Sequence, residues 1–319
     1  MKRKNHSRRQ VMGTLLGATT ATLMPPAFAQ EADSLGEMEI VDTHTHFFDP
    51  TRPQGVPWPQ PGTQLYRKVM PSDWKALANP LGIYQTVVVE ASKWVEDNQW
   101  ILELAEREKS IVGFVGNLDP GTPEFGDQLK RFAANPVFRG IRVGGSRLIK
   151  GVEEPEFVAG IKRLVDRDLS LDVNGGPDLL MAVDKLAVKV PELRIVVDHV
   201  GGAGDAAKPS SAWKEGIKAS ARHPKVWCKV SGLVEGPGGG KGNAPKDAGY
   251  YAPVLDMVWH AFGEDRLVFG SNWPVSDRGA LFDVVVGLVR QYFEGKGKTA
   301  ARKYFSDNGK AVYKWIDRS

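Results

Sequence analysis

Thr86-Val87-Val88-Val89 and Ile195-Val196-Val197 are unbroken runs of β-branched residues. They lack the alternation of apolar and polar residues that marks a strand with one face in water, and they are typical of parallel strands covered on both faces. Similar short apolar runs recur along the chain, each followed by a longer stretch with helical spacing. The predicted strands are residues 39–42, 86–91, 111–116, 140–143, 169–173, 194–198, 226–231 and 266–270.

The segments between these strands are long enough to return over the sheet as helices. Helices are predicted over residues 73–81, 97–109, 123–134, 153–168, 178–190, 210–223 and 250–262, with 280–293 and 299–316 after the last strand. Eight such units predict a (β/α)8 TIM barrel as a single domain within residues 30–319. An open doubly wound sheet is the alternative, which the lack of a glycine-rich phosphate loop after the first strand disfavours.

The first 29 residues differ in composition from the rest of the chain. They contain five basic and no acidic residues, then a weakly apolar run, and end in Ala27-Phe28-Ala29, which offers small residues where a signal peptidase cuts. The paired Arg8 and Arg9 resemble a twin-arginine export signal. Residues 1–29 therefore predict a signal peptide and a periplasmic or otherwise exported protein, with a basic tail as the alternative.

The basic pI near 9.0 belongs largely to this leader. Five of the 42 basic residues lie in it, so the remaining chain has 37 basic and 38 acidic residues, a net charge of about −1. This balance removes the electrostatic reason to expect a nucleic-acid partner. No run of 18 apolar residues occurs, so no membrane span is predicted. Cys228 is the single cysteine, which excludes an intramolecular disulfide.

Three histidines occur where predicted strands end. His44 and His46 follow the first strand and His199 follows the sixth, and the ends of barrel strands form the rim at which barrel enzymes bind substrates. Alternate residues of a strand point to one face, so His44 and His46 can grip one metal or one substrate group. Hydrogen-bonding core histidines are the alternative, which Asp42 two residues earlier disfavours. His223 and His260 fall near helix ends and are predicted to be surface residues.

Several motifs occur in an order that resembles the amidohydrolase superfamily, in particular its amidohydrolase-related branch with sugar-acid and pyrone-dicarboxylate lactonases. The resemblance covers roughly residues 39–316. It rests on Val41-Asp42-Thr43-His44-Thr45-His46, Arg139-Gly140-Ile141-Arg142, Val196-Val197-Asp198-His199-Val200-Gly201, Cys228-Lys229-Val230-Ser231-Gly232 and Leu267-Val268-Phe269-Gly270-Ser271-Asn272-Trp273-Pro274-Val275.

The resemblance implies that His44, His46 and His199 bind a metal or the substrate carbonyl, and that Arg142 binds a substrate carboxylate or hydroxyl. One divalent metal, with zinc best suited to histidine ligands, is the expected cofactor, and catalysis without a metal stays open. The superfamily's binuclear members use a lysine at the end of strand four. This chain has Arg142 in that strand, so a two-metal site is not expected.

Asn272 departs from the family pattern, which has an aspartate there as proton acceptor. The carboxamide of asparagine cannot accept a proton near neutral pH, although it can orient a water. Asp277, five residues further on, is one candidate replacement, and Asp198 or Glu90 is another.

Glu90, Lys229 and Trp273 are further candidate substrate-binding residues. The predicted function is hydrolysis of a lactone or related ester of a sugar acid or carboxylated ring. The expected partner is a small-molecule substrate, and assembly into a homo-oligomer stays open. Two alternatives remain. One is a metal-dependent decarboxylase on the same scaffold, and the other is a non-catalytic periplasmic binding protein, which Asn272 would explain.

Overall fold

Eight strands lie side by side in chain order, and every neighbouring pair is parallel. This arrangement comes from a computed structural model, which describes residues 38–236 and 242–318. The predicted signal peptide lies outside the described residues. The strands are β1 (Ile40–Thr45), β2 (Ile83–Val89), β3 (Ile111–Gly116), β4 (Phe138–Gly144), β5 (Ser170–Asn174), β6 (Arg194–Val197), β7 (Val226–Val230) and β8 (Leu267–Phe269).

The sheet closes where the segment after β8 meets β1. His46 donates its backbone N–H to the carbonyl of Trp273 over 2.9 Å, and Asn272 donates to the carbonyl of His44 over 2.9 Å. A parallel bridge joins Thr45 to Trp273. With helices between the strands, the predicted (β/α)8 barrel is confirmed.

Helices separate successive strands and cover the outside of the sheet. None in the described segments has the length and apolar character needed to cross a bilayer. The predicted helix over 299–316 is interrupted by a π-turn at Lys303–Asp307. The helices are α1 (Pro71–Ala78), α2 (Asp97–Arg107), α3 (Phe125–Phe132), α4 (Gly145–Gly151), α5 (Pro155–Asp166), α6 (Pro177–Lys189), α7 (Ser211–Ala221), α8 (Ala248–Phe262), α9 (Phe282–Glu294), α10 (Lys298–Arg302) and α11 (Asn308–Tyr313).

Strand β1 continues beyond its predicted end at residue 42. It runs to Thr45 because polar side chains there find partners inside the barrel: the hydroxyls of Thr45 and Thr86 lie 2.7 Å apart. Asp42 fastens the same strand to the segment after β8. Its carboxylate accepts from Ser271 N at 2.8 Å, from Ser271 Oγ at 2.6 Å and from Trp74 Nε1 at 3.3 Å. Polar residues within β1 thus hold the barrel closed.

Candidate active site

Three histidines converge at the carboxyl end of the barrel. His44 and His46 project from β1 and its end into the interior, with ring centroids 4.9 Å apart, and the ring of His199 lies 4.5 Å from that of His44. His44 and His46 are almost fully buried. The structure therefore brings together the three histidines that the sequence placed on one rim.

His46 has both ring nitrogens beside oxygen acceptors. Its Nδ1 lies 2.9 Å from the Val89 carbonyl, and a neutral ring has one N–H to donate either there or to Asn272 Oδ1. Burial and the nearby Arg142 charge lower the pKa of His46 to about 3, so the ring is neutral at pH 7. Its Nε2 lies 3.3 Å from Asn272 Oδ1.

His199 reaches the site through an unusual backbone turn after β6. His199 and Val200 both have left-handed backbone angles, with φ of 54° and 47°. Such angles are unfavourable for residues with a Cβ and recur at functional sites. Nδ1 of His199 lies 2.9 Å from Ser231 Oγ. Burial lowers the pKa of His199 to about 4, so this ring is also neutral at pH 7.

A fully buried ion cluster lies directly beneath His44. Lys229 Nζ lies 2.8 Å from Asp172 Oδ2, 3.0 Å from Asp198 Oδ1 and 3.2 Å from His44 Nδ1. Tyr313 donates its hydroxyl to Asp172 over 2.7 Å. Burial raises the pKa of Asp172 to about 6 against the opposing effect of Lys229. Burial opposes ionisation of Asp198 as well, but Lys229 and His44 hold its pKa well below the usual range.

Within the described segments, one group of three side chains could hold a metal ion: His44, Asp198 and His199. Their ligand atoms lie within 4.8 Å of one another. His46 is outside this set. Burial and the Lys229 charge keep the pKa of His44 well below its usual range, and its Nε2 is buried without a hydrogen-bond partner. Neutral imidazoles and a carboxylate are donors that suit zinc. This set therefore fits one divalent cation.

A cavity of about 540 Å³ opens above the histidines. Arg142 enters it from β4, donating from Nε to Glu90 Oε1 over 2.9 Å and from Nη2 to the Glu90 carbonyl over 2.6 Å. Its Nη1 has no hydrogen-bond partner among the described residues. The cavity is lined by His46, Trp58, Glu90, Ala91, Arg142, Asn174, His199, Gly232, Glu235, Asn272, Val275 and Arg278.

Four predicted site residues lie outside this lining, and one of them is His44, which contacts the buried ion cluster. Lys229 is enclosed in the ion cluster. Trp273 is buried, with its ring 6.4 Å from that of Phe47. The carboxylate of Asp277 pairs with Arg67 over 3.1 Å, which joins the loop after β8 to the long loop after β1. Trp58, from that long loop, provides the aromatic wall.

Glu235 is a cavity residue that sequence reasoning missed. Asn272, at φ 59° in a region that asparagine tolerates, donates from Nδ2 to Glu235 Oε1 over 2.7 Å. Burial raises the pKa of Glu235. The available signal was its position five residues after β7, since neighbouring barrel strands bring their following loops together.

A (β/α)8 barrel with neutral histidines and a polar cavity at its carboxyl rim has the architecture of a barrel enzyme, since such enzymes bind their substrates at that rim. The amidohydrolase family model matches residues 41–315. The chain therefore belongs to the amidohydrolase family and is a hydrolase, as its motifs predicted.

Two of its relatives are lactonases by name. The chain is 32% identical over 238 residues to L-fucono-1,5-lactonase of Burkholderia ambifaria, covering 74% of this chain and 80% of that one. A second L-fucono-1,5-lactonase, from Burkholderia multivorans, is 27% identical and covers 83% and 95%. A Burkholderia multivorans amidohydrolase structure with bound zinc aligns at TM-score 0.79 and 25% identity, covering 87% of this chain and all of that one.

Proposed function

We propose that this hydrolase opens the lactone ring of a sugar acid or of a carboxylated ring compound. The observation that supports this proposal most strongly is the cavity above His46 and His199, in which these neutral histidines face Arg142 and Trp58. A sugar-type lactone offers a ring face for the indole and hydroxyl or carboxylate groups for the guanidinium. The names of the lactonase relatives support the same substrate class.

Each residue of the cavity has a separate role in the proposed reaction, which follows from its position. Arg142, oriented by its two hydrogen bonds to Glu90, binds the acid or hydroxyl end of the substrate. His46 and His199 are neutral and stand beside the carbonyl, while Asn272 orients the attacking water. A divalent cation held by His44, Asp198 and His199 would polarise the carbonyl and lower the pKa of water. Metal analysis of the purified protein should find one equivalent, and His199→Ala should reduce it.

A lactone panel tests the function, because each ring opened near neutral pH releases one proton that a pH indicator detects. Wild type should acidify the solution with a sugar-acid lactone, and His44→Ala and His46→Ala should abolish this. His260→Ala, on the outer helix α8, is the matched control and should keep activity. Unchanged turnover in both site variants would refute the mechanism, and release of CO₂ from an aromatic acid would instead assign a decarboxylase.

We further propose that residues 1–29 direct twin-arginine export to the periplasm. The paired Arg8 and Arg9 and the Ala27-Phe28-Ala29 site support this. Fractionation of cells should find the wild-type protein in the periplasm without its leader, and replacement of both arginines by lysine should retain it inside. Cytoplasmic wild-type protein of full length would contradict export. The homo-oligomer stays a prediction, which light scattering tests.

A further inference from the structure

Glu235 lies beside Asn272, the position at which the family pattern has an aspartate as proton acceptor. Its Oε1 accepts from Asn272 Nδ2 over 2.7 Å, and its Oε2 is buried with no hydrogen-bond partner. Both residues line the cavity that contains His46. The two side chains thus present one carboxylate at the position where the proton acceptor is needed.

The other carboxylates near the site are already paired with cations. Glu90 is bonded to Arg142 over 2.9 Å, and Asp198 to Lys229 over 3.0 Å. Asp277 pairs with Arg67 and lies outside the cavity lining. Glu235 has no ion-pair partner within 4 Å among the described residues. It is therefore the carboxylate of the cavity lining that is free to accept a proton.

Burial raises the pKa of Glu235 against the opposing effects of the Asn272 amide, the backbone amides of Glu235 and Val234, and the Arg278 charge. A carboxylate whose pKa is raised toward the working pH is a stronger base and can still give the proton back at that pH, which a reaction that takes and then returns a proton requires.

Asn272 is complementary to this carboxylate. An aspartate at position 272 would place a second carboxylate about 2.7 Å from Glu235, and two like charges at such a distance force one group to keep its proton. Asparagine avoids that conflict and donates the hydrogen bond that orients Glu235.

We propose that Glu235 is the proton-transferring catalytic residue of this site, a role that rests on the proposed lactone hydrolysis. Its carboxylate takes one proton from water as the water oxygen forms a bond to the lactone carbonyl carbon. The bond between that carbon and the ring oxygen then breaks, and Glu235 returns the proton to the ring oxygen. The product is the open hydroxy acid, with all atoms of lactone and water accounted for.

Glu235→Gln keeps the size of the side chain and removes the base. We expect kcat to fall about 10²–10⁴-fold with KM changed little, and the acid limb of the kcat/KM profile to disappear. The double variant Glu235→Gln/Asn272→Asp moves the carboxylate across the hydrogen bond and should recover at least about tenfold over the single variant. Glu153→Gln, a glutamate paired with Lys185 on the outer surface, is the control and should match wild type.

The outcomes separate the two proposals. If wild type opens lactones and Glu235→Gln does so at an undiminished rate, Glu235 is not the base, although the protein is a lactonase. If Glu235→Gln loses activity but keeps the acid limb, another group takes the proton and the inference is refuted. A wild-type protein that opens no lactone refutes the proposed function and the role of Glu235 with it.

Discussion

Replacement of Lys229 by methionine tests the buried ion cluster beneath His44. Methionine has a similar length and no charge, so the change removes the ammonium with little loss of packing. In the wild type this ammonium lies within 3.2 Å of Asp172, Asp198 and His44. The side chains of Lys229 and both aspartates have no exposed surface.

The expected loss follows from that burial. Removing one partner of a buried ion pair leaves an uncompensated charge and typically costs about 3–5 kcal/mol. Here two carboxylates lose the same cation, and only Tyr313 remains as a donor to Asp172. Lys75→Met is the matched control, since Lys75 pairs with Glu108 over 2.7 Å at a partly exposed position. Breaking that pair should cost less than about 1 kcal/mol.

Urea unfolding followed by tryptophan fluorescence measures both variants. Without Lys229 the pKa of each buried carboxyl rises, so the folded variant binds protons that the unfolded chain, with aspartate pKa near 4, does not. The stability deficit of Lys229→Met should therefore shrink as the pH falls from 7 through about 6, the wild-type pKa of Asp172, toward 4. A deficit below about 1 kcal/mol, or one that grows on acidification, would refute the reasoning.

Three further outcomes are expected. Arg142→Lys loses the forked contact with Glu90, and the KM for an acidic lactone should rise about tenfold, whereas an unchanged KM would argue against substrate binding there. Because burial raises the pKa of Asp42 to about 6, wild type should gain stability over Asp42→Asn as pH falls from about 6 toward 4, and parallel urea midpoints would contradict this. Gly232→Ala places a Cβ 2.7 Å from His199 Cβ at φ +64°, so it should lose about 1–3 kcal/mol of stability and slow turnover; wild-type values for both would disprove the close packing.

The barrel and its histidine rim could be predicted from the sequence because both depend on local patterns. Apolar runs such as Ile195-Val196-Val197 mark parallel strands, and their order places every strand end on one rim. The spacing of His44 and His46 sends both rings to one face. Strand β1 ends later than predicted because His44 and Thr45 are polar, and their burial depends on partners from β2 and from the segment after β8, both distant along the chain.

Only the tertiary structure decided which polar side chains enter the cavity. Lys229 lies near the end of β7 and Asp277 in the loop after β8, at positions from which a side chain could enter the cavity. In the structure, however, Lys229 turns inward to buried carboxylates and Asp277 pairs with Arg67. Glu235 meets Asn272 because β7 and β8 are adjacent, although 37 positions separate the two residues. In loops, side-chain direction follows from backbone angles and non-local contacts, neither of which a local sequence pattern contains.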